Sequence, residues 1–264
     1  MIKEQLITLR LPYVDGDRIV RVFVPEHDDG EILPVIYMTD GQNLFEDMTV
    51  RFGCWYTREA VREHRSKHGR AAIIVGIHND CGEIERTTEL MPKSIGRIEL
   101  PSIIPDEEKP LHIPRGEIFE DFILNTVMPA VEKNFPVKKG RSNTAFCGSS
   151  SGGLESFYIA LNNPEKFGAA GVLSPALLFY NSVDLEKWIK VKSNANDLPF
   201  LYMYIGGGDD LEKILTPSYL STIEILKKYY PADKIKEVTI VESKHNESAW
   251  APIFKDFLSI FLSE

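Results

Sequence analysis

The feature that most constrains this chain is a G-x-S-x-G motif centred on Ser150, between a strand pattern and a helix pattern. Residues 143–147 predict a short buried strand, and residues 154–161 have the apolar spacing of a helix. Only Ser150 in this stretch has glycines two positions before and after it, at Gly148 and Gly152. A serine at the tip of so sharp a turn has strained backbone geometry, and its flanking positions must lack bulk so that strand and helix can pass. The motif therefore predicts a nucleophilic serine.

Composition limits the remaining possibilities. The 264 residues are 43% hydrophobic and 26% charged, which suits one α/β domain over residues 1–264 with a large core. The net charge of −9 and the lack of a basic run argue against nucleic acid or an anionic membrane as a partner. The first ten residues alternate like a strand and lack a signal-peptide pattern, so we expect a cytoplasmic protein if Met1 is the native start.

The order of predicted elements gives the fold class. Apolar runs alternate with helical spacing along most of the chain, which predicts a mostly parallel sheet with helices on both faces. We expect Pro217 to mark the start of a helix. The predicted strands are at residues 4–10, 18–24, 34–38, 71–77, 143–147, 170–173, 200–205 and 238–241, and the predicted helices at 57–68, 117–134, 151–162, 218–230 and 248–262.

Two segments interrupt this alternation. Residues 92–116 contain five prolines separated by apolar residues, which fits either a surface excursion or a cap over the active site. We favour the cap, because long irregular insertions in compact domains are often functional. Residues 179–198 are a second irregular stretch, which we expect to form the opposite wall.

A serine nucleophile needs a base, and the base needs an orienting acid. In this topology the acid should follow an inner strand, and the histidine should follow the last strand. Asp209 and Asp210 follow the strand at residues 200–205; we favour Asp209 and keep Asp210 as the alternative. His245 follows the final predicted strand and is the candidate base.

The oxyanion of the reaction needs two preorganised N–H donors. One is the backbone amide that follows the nucleophile, which belongs to Ser151. The other should come from residues 39–45, after the strand at 34–38, where Gly41 lets the backbone turn its amides inward. The aromatic residues near these loops suit either a substrate pocket or the core; they are Phe45, Trp55, Phe179 and Trp250.

Several segments together resemble the putative-esterase family, which includes esterase D, feruloyl and acetylxylan esterases, siderophore esterases and mycolyltransferases. The segments are residues 37–45, 148–154, 173–176, 206–209 and 245–250, in the family's order. The resemblance implies an α/β-hydrolase fold, with Ser150 as nucleophile, Asp209 as acid and His245 as base. It also implies that the amides of Gln42 and Ser151 form the oxyanion hole, and it implies no metal or other cofactor.

A further segment of the resemblance departs from the family's pattern. It contains Arg86 and Glu89, and tyrosine is expected where this chain has Leu90. Leucine lacks the hydroxyl, so any polar contact made from that position is absent in this chain.

These observations predict a serine carboxylesterase that cleaves a small acyl or aryl ester, such as an acylated sugar or a hydroxycinnamoyl ester, through an acyl-enzyme. We expect Phe45 and Trp250 to contact this small-molecule substrate. A siderophore ester and the S-formylglutathione thioester remain alternatives, as does transfer of the acyl group to an acceptor other than water. A catalytically inactive binding protein on a hydrolase fold is the alternative from a different class.

Overall fold

The computed structural model describes residues 1–14, 16–46, 53–79, 82–102 and 104–263. Its centre is an eight-stranded sheet with the order β1-β2-β4-β3-β5-β6-β7-β8. The strands are β1 (Gln5–Tyr13), β2 (Gly16–Val24), β3 (Val35–Met38), β4 (Ile73–Ile77), β5 (Thr144–Ser149), β6 (Ala169–Leu173), β7 (Phe200–Gly206) and β8 (Ile235–Ile240).

The strands at one edge of the sheet are antiparallel, and the others are parallel. β1 and β2 form an antiparallel hairpin, and β2 also pairs antiparallel with β4. From β4 to β8 every neighbouring pair is parallel. The central strands β3 to β6 are buried at every position, because helices cover both faces of the sheet. The predicted mostly parallel α/β sheet is confirmed.

Helices supply the connections between the parallel strands. They are α1 (Thr57–His68), α2 (Glu83–Glu89), α3 (Gly116–Phe122), α4 (Met128–Asn134), α5 (Ser151–Asn162), α6 (Ser182–Lys192), α7 (Asp210–Tyr229) and α8 (Glu247–Phe261). A π-helical turn over Ile123–Val127 joins α3 to α4, so the single helix predicted at 117–134 is continuous. Among the described residues, no helix combines the length and apolar character that crossing a bilayer requires.

Two predicted features are wrong. Pro217 does not start a helix, because α7 begins seven residues earlier, where the side chain of Asp209 accepts a hydrogen bond from the N–H of Glu212. Pro217 removes one N–H donor from α7, yet the helix continues on both sides of this exposed residue. The stretch at 179–198 is not irregular either, since α6 occupies its centre and is capped by Asn181.

The core has two layers, one on each face of the sheet. α1 and α8 pack on one face, against strand residues such as Ile36 and Met38. α3 to α7 pack on the other face, against the intervening strand residues such as Val35 and Tyr37. Because both layers are apolar, the sheet is rigid, and the loops at its carboxyl edge have a fixed platform.

The segment at 92–116 lies against the body of the protein. The N–H of Glu99 bonds to the carbonyl of Phe179 at 2.8 Å, and an isolated bridge pairs Ile98 with Tyr180. Ile103 of this segment lies outside the described residues. The role of the segment as a cap stays a prediction.

Candidate active site

Ser150 occupies the sharp turn between β5 and α5. Its backbone has φ 59° and ψ −125°, a region that non-glycine residues avoid. The turn is held by two backbone bonds to the end of β6 and the segment after it: the Ser150 N–H donates to the carbonyl of Leu173 at 2.9 Å, and its carbonyl accepts from the N–H of Ala176 at 3.0 Å. These bonds fix the strained serine at the carboxyl edge of the sheet.

The glycines around Ser150 are required by close packing. A Cβ atom on Gly148 would lie 2.6 Å from the carbonyl oxygen of Gly152 and 2.5 Å from Oγ1 of Thr39. A Cβ on Gly152 would also clash with Thr39. Strand and helix therefore pass as closely as the motif predicts, and the loop after β3 is packed into the same turn.

The ring of His245 contacts a glutamate. Nδ1 of His245 is 3.1 Å from Oε1 of Glu212, whose side chain is fully buried. Glu212 also accepts hydrogen bonds from Oγ of Ser174 at 2.6 Å and from the N–H of Gly206 at 3.1 Å. The ring of Trp250 packs edge-on against His245, with centroids 4.8 Å apart. Among the described groups, Nε2 of His245 has no hydrogen-bond partner.

Among the described groups, neither Asp209 nor its alternative Asp210 forms a hydrogen bond with the imidazole. The Asp209 carboxylate accepts the backbone N–H of His245 at 2.7 Å and the N–H of Glu212 at 3.0 Å. Burial raises the pKa of Asp209, but these two backbone donors outweigh it and hold the pKa below its usual value. The side chain of Asp210 is 97% exposed and pairs with Lys213. Asp209 thus holds the histidine loop, and Glu212 holds the ring.

Glu212 was not among the predicted acids, because only the first two carboxylates after the strand at 200–205 were considered for that role. Glu212 lies in the first turn of α7, three positions after its capping residue Asp209. The available signal was the D-x-x-E spacing after the three glycines, which resembles a helix capping box. Within the described residues, Oγ of Ser150 forms no hydrogen bond, with His245 or with any other group.

The loop after β3, residues 39–45, is here called the oxyanion loop. It contains a short 3₁₀ turn at Gly41–Asn43, preceded by Asp40 in the left-handed region at φ 55°. A Cβ on Gly41 would lie 2.5 Å from the carbonyl oxygen of Gly76, so only glycine fits. Across the described ranges, no acceptor is recorded for the amide of Gln42 or of Ser151. Both predicted oxyanion donors therefore have free N–H groups.

Asp40 anchors the oxyanion loop to α2. Its carboxylate accepts two hydrogen bonds from Arg86, at 2.6 and 2.7 Å, and a third from Nδ2 of Asn79 at 2.7 Å. Burial raises the pKa of Asp40, but the Arg86 guanidinium and these donors hold it below the usual value. Asp40, directly before Gly41, is thus one half of a partly buried ion pair.

A cavity of about 580 Å³ opens over Ser150 and Ser151. Its apolar wall comes from α7, the segment at 92–116 and the segment after β6, and includes Ile104, Phe179, Leu211 and Ile214. Its acidic residues are Glu83, Glu85 and Glu108. A second cavity of about 670 Å³, between α5, α6 and residues 94–96, contains none of the predicted site residues.

Phe45 and Trp250 do not line the cavity over Ser150. Phe45 packs against Phe23 in the layer that holds α1 and α8. Trp250 is in the same layer, where its Nε1 donates to Oγ of Ser174 at 3.1 Å. Both residues therefore have packing roles in this layer, and neither of the expected substrate contacts lies in the cavity wall. Phe179 is the member of the aromatic group that lines the cavity.

No cluster of three histidine, cysteine, aspartate or glutamate side chains suited to a metal occurs in the part of the chain that the structure describes. His64 and His68 are neighbours on α1, but Nδ1 of His64 bonds to the carbonyl of Arg70 at 2.9 Å. His64 is therefore held by a structural hydrogen bond.

A family model described as "Putative esterase" matches residues 12–258. The chain is 32% identical over 94 residues to an endo-1,4-beta-xylanase/feruloyl esterase of Xylanibacter ruminicola, which covers 36% of this chain and 11% of that protein. It is 28% identical over 203 residues to a siderophore triacetylfusarinine C esterase of Aspergillus fumigatus, which covers 70% of this chain and 62% of that protein. The chain thus spans less than two thirds of the length of both curated relatives.

Solved structures show the same architecture. An IroE-like serine hydrolase of Shewanella oneidensis superposes with a TM-score of 0.73 at 20% identity, covering 98% of this chain and 80% of that one. This likeness confirms the predicted α/β-hydrolase fold. At this identity it is a statement about fold, and the chemistry must be argued from the residues of this chain.

Proposed function

Because the chain belongs to the putative esterase family, we propose that it is a serine hydrolase that cleaves carboxylic esters with Ser150 as its nucleophile. Family membership supports ester hydrolysis as the class of reaction. The observation that carries the serine mechanism is the strained backbone of Ser150, a residue that lines the cavity. Strain of this kind persists where the surrounding structure enforces it, and it clusters at active sites.

The reaction follows from the contacts around Ser150. Oγ attacks the ester carbonyl carbon while Nε2 of His245 takes the hydroxyl proton. The Glu212 carboxylate accepts the Nδ1–H bond, fixes the tautomer and stabilises the imidazolium. His245 then gives the proton to the leaving alcohol, and an acyl-enzyme remains. A water molecule repeats the attack and releases the acid. The hydrogen bond from Oγ of Ser150 to Nε2 of His245, which is not formed in the structure, forms when substrate binds, because catalytic hydrogen bonds often close only in the substrate complex.

The negative charge of the tetrahedral intermediate is held by backbone amides. The free N–H groups of Gln42 and Ser151 are the proposed donors. A preorganised donor of this kind lowers the barrier by about 3 kcal/mol. Ser151 also begins α5, so the positive end of the helix dipole adds to the stabilisation.

The cavity walls favour an uncharged or cationic ester over an anionic one. Glu83, Glu85 and Glu108 line the cavity, and in the described ranges none of them forms an ion pair. Arg86 is the lining residue of opposite charge, but Asp40 already neutralises it. A negative field of this kind repels anionic substrates, and the apolar wall suits an acyl or aryl group.

We take a small acyl or aryl ester, such as an acylated sugar or a hydroxycinnamoyl ester, as the substrate class. The Xylanibacter ruminicola relative supports the aryl ester. A siderophore ester is the second candidate, since the Aspergillus fumigatus relative aligns with 70% of this chain.

Ser150→Ala tests the proposed function directly. The wild type and the variant are compared on p-nitrophenyl acetate, p-nitrophenyl butyrate, methyl ferulate and the half-ester mono-p-nitrophenyl succinate. We expect turnover of the neutral esters, a poorer rate with the anionic half-ester, and a loss of about a thousandfold or more in Ser150→Ala. Circular dichroism serves as the control for folding. A folded Ser150→Ala variant with near wild-type turnover would refute the nucleophile, and a wild type that cleaves none of the esters would favour a binding protein.

A further inference from the structure

We propose that Asn43 and Glu247 form a clamp that holds the oxyanion loop at a fixed distance from the segment that carries His245. The proposal rests on the function proposed above and adds two positioning residues to it. The clamp keeps the oxyanion donor Gln42 and the base His245 in one relative position, although they come from opposite ends of the chain.

The clamp is a single, partly buried contact across the site. Nδ2 of Asn43 donates to Oε1 of Glu247 at 2.7 Å, between residues 204 positions apart in the sequence. Glu247 is 6% exposed and is the first residue of α8, directly after the helix cap at Asn246. It lies two residues after His245, so the segment that it fixes is the one that carries the base.

On the other side of the contact, Asn43 is bound through its backbone as well. Its N–H donates to the carbonyl of Asp40 at 2.8 Å, and its carbonyl accepts from the N–H of Trp55 at 2.9 Å. Asn43 follows Gln42 directly, so a shift of Asn43 also displaces Gln42, whose N–H is the proposed oxyanion donor. A displacement of about 1 Å at such a donor is enough to cost catalysis heavily.

The remaining supports of the oxyanion loop come from elsewhere. Arg86 and Asn79 fix Asp40 on the side of α2. The ring of Trp55 packs on Trp250 of α8 with centroids 5.8 Å apart, which joins the two segments through apolar contact. In the described structure, the bond from Glu247 to Asn43 is the polar link between the oxyanion loop and α8.

Stability alone does not account for Glu247. Oε2 of this carboxyl is buried and has no hydrogen-bond partner among the described groups. Burial, together with the nearby charge of Asp40, raises the pKa of Glu247 above its ordinary value. A half-paired buried carboxyl destabilises a fold relative to an apolar residue of similar size. We therefore assign to Glu247 the role of accepting the hydrogen bond from Asn43, which positions the oxyanion loop.

The experiment compares Glu247→Ala, Asn43→Ala and the double variant with Glu247→Gln. Glutamine keeps an oxygen that accepts from Asn43, so it should rescue the clamp. Asp256→Asn is the matched control: Asp256 is also an acid on α8, but it binds Tyr202 and Lys236 outside the site. For each protein we would measure kcat and KM for p-nitrophenyl acetate, the rate of phosphonylation by a fluorophosphonate, and Tm.

We expect each alanine variant to lower kcat and the phosphonylation rate by about thirtyfold or more, with KM changed less than about threefold, because the donor is lost chiefly in the transition state. The double variant should lose no more than either single variant, since one contact is removed in each case. Glu247→Gln should recover most of the rate, and Asp256→Asn should change Tm without changing kcat.

The outcomes separate the clamp from the proposed function. Alanine variants that lower Tm but react at the wild-type rate would overturn the clamp, as would losses that add in the double variant. If Glu247→Ala does not fold, Asn43→Ala alone must show the loss of kcat, and a wild-type rate in that variant overturns the clamp. A wild type that neither cleaves esters nor reacts with the fluorophosphonate overturns the proposed function, and the clamp with it.

Discussion

At the residue scale, Glu212 and Asp209 divide a task that the sequence suggests for one carboxylate. Glu212 receives hydrogen bonds from the His245 ring, Ser174 and Gly206, so its position is determined from three directions. Asp209 receives two backbone N–H groups and so shapes the loop around the ring. Both carboxylates bind His245, but Glu212 binds its ring, whereas Asp209 binds its backbone N–H.

Glu212→Gln and Asp209→Asn test this division. The neutral amide cannot stabilise the imidazolium, so we expect Glu212→Gln to lower kcat by about a hundredfold to ten-thousandfold. Asparagine keeps an acceptor that can cap α7, so Asp209→Asn should lower kcat by less than about tenfold. Steady-state kinetics on p-nitrophenyl acetate decides the point. A larger loss in Asp209→Asn than in Glu212→Gln would return the orienting role to Asp209.

The sequence alone could not make this choice. It places Asp209 nearest to the end of the strand, and only the first turn of α7 brings Glu212 under the ring. Phe45 and Trp250 show the same limit, because a pattern gives the position of an aromatic residue in the sequence but not the direction of its ring. Ser150 and the glycines around it could be predicted, because their constraint is local and steric.

At the element scale, the helices with clear apolar spacing were predicted accurately, and α6 and the start of α7 were not. The bounds of α1 and α5 agree with the predicted helices at 57–68 and 151–162. The start of α7 was missed because Pro217 is a strong local signal, and the capping contact of Asp209 that overrides it depends on side-chain geometry. α6 was missed because its three buried residues give only a short apolar stripe; they are Leu185, Trp188 and Ile189.

The turn between β5 and α5 can be tested with Gly148→Ala. The added methyl group would meet Thr39 and the backbone of Gly152, and backbone atoms cannot move aside cheaply. We expect a loss of about 1–3 kcal/mol in the free energy of unfolding, with a fall in kcat for the folded fraction. Urea denaturation and active-site titration would measure the two effects. Unchanged stability and kcat in Gly148→Ala would mean that the turn is looser than the structure indicates.

At the scale of the whole molecule, the parallel sheet collects the reacting groups at one edge. The oxyanion loop follows β3, Ser150 follows β5, Glu212 follows β7 and His245 follows β8. Carboxyl ends of parallel strands share an edge, so residues from distant parts of the chain meet there. This arrangement could be predicted from the alternation of strands and helices, whereas the contacts among the loops could not, because they depend on packing between side chains.

Glu155 makes the stability of the whole fold depend on pH. It lies on α5 with its side chain fully buried, and neither carboxyl oxygen has a partner among the described groups. Burial, with nearby glutamates, raises its pKa well above the ordinary value. The folded state therefore holds the proton more tightly than the unfolded state. Its contribution to stability is full below the unfolded pKa and is lost as pH rises through the folded pKa.

We predict that Glu155→Met stabilises the protein and flattens this pH dependence. Methionine has a similar size and carries no charge, so at pH 9 the gain should be on the order of 1–3 kcal/mol, and at pH 5 smaller. Guanidinium denaturation at both pH values measures the difference. Glu224→Gln, on the exposed face of α7, is the control and should keep the wild-type slope. The same slope in Glu155→Met as in the wild type would show that another group titrates.

The central claim is that Ser150 is a nucleophile made reactive by His245. The most direct measurement is the intact mass and peptide map of the protein after incubation with a fluorophosphonate, for the wild type, Ser150→Ala and His245→Ala. We predict one adduct per chain on Ser150 in the wild type, none in Ser150→Ala, and labelling slowed by orders of magnitude in His245→Ala. An adduct on another residue, or equal labelling of the wild type and His245→Ala, would contradict the claim.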